Sequence, residues 1–280
     1  MDLAKNLLPA LAAVIVASGL QAQSLPPFEV ASVKPHNPSE RRFVFPELSP
    51  SGKFSVAGLP MFILIAVAYD VPFQGQQLSG GPDWIRSDSG VYDIEAKAEE
   101  ADLKGLSAKQ RQLKMRQMLQ ALLADRFKLA VRREVKEQPV YILTVAKNGP
   151  KPTMSRIDEA DCESHADQCH YGGAGQGRGI HAKGFDMAEL CVSVSNFTDK
   201  PLIDRTGLKG LYDIDTDGWV PMRQRPIPPG GGTDAESQAM ADPTRPTLYM
   251  IFEKLGLKME PSKAPVESIV IERVERPTGN

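Results

Sequence analysis

The chain has 280 residues, of which 41% are hydrophobic and 24% are charged, and its formal net charge is −2. This length and composition suit one large globular domain or two modest ones. No long run of one charge sign occurs, which argues against a nucleic acid as the partner.

The first residues, 1–22, have the layout of a secretory signal peptide. A short, weakly positive start, MDLAKN, precedes the apolar run LLPALAAVIVASGL, and Ala22 offers a small residue for cleavage. The run is shorter than the roughly 20 residues of a membrane span, and Pro9 disfavours a permanent anchor. We therefore expect an exported protein, periplasmic or extracellular, with no stable membrane span after processing; an uncleaved anchor is the alternative.

Residues 25–146 are predicted to form a first α+β lobe. A β-branched strand at 27–35 is followed by a hairpin around the turn residues 49–52. The segment from Leu59, LPMFILIAVAYDV, is apolar nearly all round and indicates a buried helix. After the break at GGPDW, a strand returns at 91–96.

The clearest helix of this lobe follows Ser107, which can cap it. Apolar residues recur on one face at spacings of three and four. These residues are Met115, Met118, Leu119, Leu122 and Leu123. Two strands, 129–134 and 140–146, are predicted on either side of KEQP.

The composition then changes. Residues 147–183 are polar and glycine-rich and are predicted to be a connection or a surface excursion. A second α+β lobe is expected over 184–280, starting with a short helix near Asp186. Within it, 221–246 is rich in proline and glycine and is predicted to be a mobile loop. The chain ends with a helix stopped by Gly256 and a strand, SIVIERV.

An internal repeat relates the two predicted lobes. The segments that begin at Met61 and Met187 each contain an apolar helix, a break, a strand, a glycine turn and then Tyr-Asp-Ile. The fold class predicted is α+β, with helix-plus-strand units repeated at least twice. Antiparallel or mixed sheets would carry helices on one face.

The repeat bears on the run Asp204-Arg205-Thr206-Gly207, which resembles parts of two catalytic motifs. It occupies the place of SGGPDW in the first copy, so we interpret it as a turn between strands. An aspartic protease needs two aspartates that share a proton, and the only other aspartate in a comparable strand context, Asp93, is not followed by Thr-Gly. A hydrolase that uses Asp204 or Asp93 with a histidine is kept as an alternative function.

Three cysteines occur, so at most one disulfide can form within the chain. In an exported protein we favour a bridge between Cys162 and Cys169, with Cys191 as a buried thiol. One alternative is that the thiols stay unpaired. The other is a metal site, whose ligands would be Cys162, His165, Cys169 and His170. Their spacing matches no familiar zinc module, and we predict no cofactor.

No catalytic motif for a nucleophile, a metalloprotease or a nucleotide is present. Candidates for ligand binding are Arg205 and three aromatic residues, Trp84, Tyr69 and Tyr92, which could line a cleft or cap a small core. His36 lies between prolines with no obvious partner. We therefore expect a protein that is not an enzyme.

Seven segments together resemble a family of exported proteins abundant in soil Acidobacteria, whose shared domain has no assigned function. The segments are FEVASVKP, LSGGPDW, YDIEAKA, MLQALLADRFKL, REVKEQPVYILTVAKNGPK, PLIDRTGLKGLYD and LGLKMEPSKAPVESIVIERVERP. Similar domains extend membrane metallopeptidases of the beta-lactam-sensor type, which implies an extracytoplasmic sensing or binding role. The resemblance supplies no catalytic residues. Because the sequence shows no convergent set of acid, base or nucleophile, we expect a non-enzymatic binding or interaction protein of the cell envelope, whose partner is a protein, a peptide or a glycan.

Overall fold

A computed structural model of the chain describes residues 25–40, 44–48, 52–73, 77–165, 168–175, 177–220, 222 and 244–277. The predicted signal peptide lies outside these residues, as does most of the loop predicted at 221–246. The strands are β1 (Val30–Pro35), β2 (Val44–Leu48), β3 (Lys53–Pro60), β4 (Leu78–Gly80), β5 (Val91–Lys97), β6 (Ala130–Val145), β7 (Thr153–Met154), β8 (Tyr171–Gly175), β9 (Gly179–Phe185), β10 (Leu202–Asp204), β11 (Tyr212–Asp215) and β12 (Leu257–Arg273). The α-helices are α1 (Met61–Tyr69), α2 (Glu100–Leu103), α3 (Ala108–Phe127), α4 (Met187–Ser195) and α5 (Leu248–Lys254). Within the described part of the chain, no helix has both the length and the apolar character needed to cross a membrane.

These strands form three four-stranded sheets. The first sheet has the order β1-β5-β3-β2 and the third has the order β7-β11-β9-β8; both are antiparallel. The second sheet, β10-β6-β12-β4, is mixed, because β10 and β4 run parallel to the long strands they flank. The α+β class and the antiparallel or mixed sheets predicted from the sequence are confirmed.

The repeat is also present in the structure, and its two copies exchange strands. The first copy runs β3-α1-β4-β5-α3-β6, and the second runs β9-α4-β10-β11-α5-β12. In each copy the strand before the first helix pairs antiparallel with the strand that carries Tyr-Asp-Ile. The short strand β4 pairs with β12 of the second copy, however, and β10 pairs with β6 of the first.

This exchange builds two hydrophobic cores that share their longest strands. The first core is formed mostly by residues between 54 and 129, and it includes Ile269 and Ile271 from the end of β12. The second core contains Tyr141 and Leu143 from the end of β6. Each long strand therefore contributes apolar side chains to both halves of the molecule.

Local sequence explains the longest helix of the first core. Ser107 accepts a hydrogen bond from the Gln110 N–H, and the Gln110 side chain accepts one from the Ser107 N–H in return. This capping box satisfies N–H groups that a helix start leaves free. The five apolar residues predicted to share one face of α3 are all buried.

The two strands predicted around KEQP are in fact one strand, β6, which runs through Pro139. Tyr141 donates its N–H to Pro201 on the β10 side, so the odd-numbered residues of β6 direct their backbone groups away from β12. A proline at such a position breaks no bond between β6 and β12. In β12, Ile269 donates its N–H to Gln77, away from β6, so the odd-numbered residues of β12 direct their backbone groups away from β6. Pro261 and Pro265 are odd-numbered and therefore break no bond between the two long strands.

The stretch 147–183 is more regular than its composition indicated. It contains β7, β8 and the beginning of β9, which belong to the third sheet. Its glycine-rich strand β8 lacks the alternation of apolar side chains that marks a half-buried strand in sequence. Backbone pairing with β9, residue for residue from Tyr171 to Gly175, holds it in place instead.

Candidate functional site

The run Asp204-Arg205-Thr206-Gly207 forms a turn at the end of β10. The Asp204 carboxylate accepts hydrogen bonds from the Thr206 N–H at 2.8 Å and the Thr206 hydroxyl at 2.7 Å. Arg205 donates its N–H to Leu143, just as Gly81 of the first copy donates to Ile271. The side chain of Asp204 thus satisfies nearby backbone, as Asx turns do.

Asp93 and Asp213, the aspartates of the two Tyr-Asp-Ile motifs, serve one structural purpose. Asp93 accepts the Gly58 N–H at 2.7 Å, and Asp213 accepts the Gly184 N–H at 3.0 Å. Both glycines have positive φ, 69° and 59°, and both lie where the register with the neighbouring strand shifts. Such bulges favour glycine because it adopts positive φ without steric cost. The repeated motif therefore fixes the bend that leads from a strand into the first helix of each copy.

His36 has a partner that the sequence did not indicate. Its Nδ1 lies 2.8 Å from the Asp93 carboxylate, and its Nε2 lies 3.0 Å from the Glu40 carbonyl oxygen. The hydrogen bond to Asp93 raises the pKa of His36 against the opposing effect of burial. Both ring nitrogens are thus engaged by acceptors, so this aspartate–histidine pair presents no free nitrogen to activate a nucleophile.

The predicted disulfide between Cys162 and Cys169 is confirmed, and Cys191 is a buried free cysteine. Burial raises the pKa of the Cys191 thiol well above its ordinary value. Ligand atoms of Glu159, Cys162 and His170 lie within 4.8 Å of one another. The Cys162 sulfur is bonded to Cys169, however, and a metal site would need it as a thiolate. The imidazole of His165 contacts the carbonyl oxygen of Asp161, whereas the imidazole of His170 contacts two carboxylates.

The imidazole of His170 is buried between two carboxylates. Its side chain is 3% exposed; Nδ1 lies 2.7 Å from the Glu189 carboxylate and Nε2 lies 2.9 Å from that of Glu159. Burial opposes the charged ring, but the hydrogen bonds and charges of Glu189 and Glu159 outweigh it and raise the pKa of His170. With a carboxylate at each nitrogen, the doubly protonated ring satisfies both contacts.

The same cluster ties the disulfide loop to two helices. Glu189 also accepts the Asp186 N–H, and Asp186 accepts the Glu189 N–H, which is the capping box of α4. Lys109, near the start of α3, donates its backbone N–H to Glu159 and pairs through its amine with Asp186. The spacing Asp-x-x-Glu before an apolar run could have revealed the capping box, but nothing local in the sequence indicates the contact with His170.

A groove of about 1010 Å³ lies over the solvent-facing side of the third sheet. Residues 151–157 form one wall, and Tyr171 lies on the opposite side. His181 and Lys183 on β9 and Asp213 and Asp215 on β11 also line it. A second groove, of about 520 Å³, shares residues 154–157 with the first and extends to the Glu159 cluster.

The groove combines exposed apolar side chains with charges of both signs. Met154 and Tyr171 are each 61% exposed, which is high for large hydrophobic residues. Lys151, Arg156 and Lys183 supply positive charge near the two aspartates of β11. Concave surfaces that mix apolar area with a few polar groups are the usual places where proteins bind ligands.

The candidates for ligand binding predicted from the sequence lie outside the groove. Trp84 stacks against Arg276, whose guanidinium carbon is 4.8 Å from the ring centroid, and Tyr92 is buried edge-on against Phe127. Tyr69 is partly buried on the first core beneath Arg133, and Arg205 is exposed in its turn. None of these four candidates lines the groove.

Comparison with known proteins adds a family without an assigned role. Residues 63–274 match the model of the family described as Protein of unknown function (DUF3738). No curated protein and no solved structure matches the chain. Because the match covers well over half of the chain and includes the groove, the chain belongs to the DUF3738 family.

Proposed function

We propose that this chain is an exported protein of the cell envelope that binds an extended peptide in the groove over the third sheet. The observation that carries the proposal is the groove itself, about 1010 Å³, with exposed Met154 and Tyr171 among charges of both signs. An extended peptide presents apolar and charged side chains at short intervals, which suits such a surface.

The outer edge of β7 supports a peptide over a glycan. Ser155 donates its N–H to Leu211, so the backbone groups of its neighbour Met154 point away from β11. No described strand lies beyond β7 in this sheet. A peptide could therefore pair with Met154 through its main chain while its side chains contact the groove.

The engagement of the titratable groups supports binding without catalysis. Asp213 accepts the Gly184 N–H, and the two ring nitrogens of His181 contact the Arg178 carbonyl oxygen at 2.8 Å and Asp215 at 3.2 Å. A general acid or base must instead be free to exchange a proton with the substrate.

Two further observations support export. The apolar N-terminal run has the layout of a signal peptide, and disulfides such as Cys162–Cys169 persist in oxidising compartments. The resemblance to exported acidobacterial proteins, and to extensions of membrane metallopeptidases, agrees with a role outside the cytoplasm.

The test is selection of ligands from a random peptide library and a glycan array with the purified chain, followed by calorimetry. Tyr171→Ala and Met154→Ala should each weaken peptide binding by about tenfold, the effect of losing a moderate hot spot. Tyr249→Ala and Met250→Ala are matched controls, because these residues are also exposed, 40% and 49%, and lie outside the groove. Retention of glycans alone, or equal losses in the four variants, would refute the proposal.

A further inference from the structure

The outer edge of β6 is open along the middle of the strand. β10 pairs only with residues Tyr141 to Leu143, and no other described strand lies on that side. Because the odd-numbered residues of β6 direct their backbone outward, the N–H and C=O groups of Arg133, Val135 and Glu137 point there and have no backbone partner among the residues that the structure describes. Such an edge is a template for pairing with another strand.

The side chains of this segment are equally accessible. The side chain of Val135 is 66% exposed, more than any other large hydrophobic residue in the described part of the chain. Arg133, Lys136 and Glu137 are exposed beside it. A β-branched residue in the middle of an open edge favours pairing over protection.

The equivalent edge of β12 is closed. The repeat relates Leu143 to Ile271 and therefore relates Arg133, Val135 and Glu137 to Pro261, Lys263 and Pro265. Prolines at two of these three positions remove the outward N–H groups, which is a common way to block an edge strand. The molecule thus protects one edge of its central sheet and leaves the other able to pair.

In the segment RREVKEQ, residues 132–138, positions at equal distances before and after Val135 carry opposite charges: Glu134 with Lys136, and Arg133 with Glu137. We propose that two copies of this chain associate by antiparallel pairing of their β6 edges, with the twofold axis at Val135. Arg133 then lies opposite Glu137 of the second copy, and Glu134 lies opposite Lys136 of the second copy. The axis repeats both pairs, as a twofold interface requires.

Charge also selects this register and direction. Moving the twofold axis by one residue would place Glu134 opposite Glu134 of the second copy, or Lys136 opposite Lys136 of the second copy. Parallel pairing in register would oppose Arg133 to Arg133. Like charges directly opposite one another destabilise a strand pair, whereas opposite charges stabilise it. The pairing window ends before Tyr141, where β10 begins, so the second copy and β10 occupy different parts of the edge.

The first test replaces Val135 by proline and measures the oligomeric state by analytical ultracentrifugation over a range of concentrations. The wild-type chain should form dimers. Val135→Pro should be a monomer at every concentration, because proline removes the N–H that donates to the second copy while the hydrogen bonds between β6 and β12 are kept. Lys263→Pro, the equivalent change on the closed edge, should leave the dimer intact. A wild-type chain that stays monomeric, or a dimer that survives Val135→Pro, would overturn the proposal.

The second test exchanges charges and does not depend on proline. Arg133→Glu and Glu137→Arg should each weaken dimerisation by roughly tenfold, since each places two pairs of like charge across the axis. The double variant restores opposite charges and should recover most of the affinity. Failure of the double variant to recover, with the fold confirmed by circular dichroism, would show that this register is wrong. Peptide binding in the groove is measured separately, so neither result decides the other.

Discussion

Replacing His170 by asparagine should destabilise the fold by about 3 kcal/mol at acidic pH. The imidazole is 3% exposed and bridges Glu189, 21% exposed, and Glu159, 39% exposed. Each charge-assisted hydrogen bond contributes about 1.5–3 kcal/mol, and partial exposure of the carboxylates reduces the sum. Asparagine is chosen because His170 has φ 52°, a conformation that asparagine tolerates better than most residues.

The loss should depend on pH, with a sign fixed by the raised pKa of His170. Because the folded protein holds the proton more tightly than the unfolded chain, the contribution is complete below an unfolded pKa of about 6.5. It is lost as the pH rises through the folded pKa. The difference in free energy of unfolding between wild type and His170→Asn should therefore shrink from acidic to alkaline pH.

Urea unfolding at several pH values measures this difference. His181→Asn provides the matched control, because His181 is exposed and the same substitution there should change stability by less than about 0.5 kcal/mol. A difference for His170→Asn that is constant with pH, or that grows as the pH rises, would contradict a buried imidazolium between two carboxylates.

Two further predictions concern the aspartates that the sequence singled out. Asp93→Ala and Asp213→Ala should each cost about 1–3 kcal/mol in the free energy of unfolding, since each leaves a bulge N–H without its acceptor; Asp93→Ala should cost more, because Asp93 also holds the His36 imidazole. Asp204→Asn should cost less than about 1 kcal/mol, since an amide oxygen can still accept from Thr206, and chemical denaturation checks both. A large loss for Asp204→Asn would show that its charge does more than close a turn.

The repeat made the turn at Asp204 predictable from sequence, because this run occupies the place that the turn-forming residues of SGGPDW occupy in the first copy. Tyr-Asp-Ile recurs because an aspartate in that strand position reaches the N–H of a bulged glycine. The amphipathic face of α3 and the pairing of Cys162 with Cys169 were predictable for similarly local reasons, namely helical spacing and an oxidising compartment.

Features that depend on distant partners were not predictable in this way. The repeat predicted a strand at the places of β4 and β10, but it did not predict that each pairs with a long strand of the other copy, because three residues carry no signal of their partner. Pro139 suggested a break in β6, because the sequence alone does not show whether the nitrogen of this residue faces the neighbouring strand β12 or the opposite side. The contacts of His170 cross from one loop to a helix 19 residues away. The groove was missed because β7, β8 and most of β9, whose residues line it, lie in the stretch that composition marked as a connection.

The exchange of strands between the copies leads to a prediction about cooperativity. Leu143 and Ile271 occupy equivalent positions at the ends of β6 and β12, 0% and 4% exposed, in the second and first core respectively. Leu143→Ala and Ile271→Ala should each cost about 3 kcal/mol through the cavity they leave. The chain has two tryptophans, Trp84 packed against the first core and Trp219 buried in the second, so single-tryptophan variants report on each half. Because both long strands enter both cores, either substitution should shift the urea transition seen by both tryptophans equally. If Leu143→Ala moved only the Trp219 transition, the halves would unfold as independent lobes, and the shared strands would not couple them.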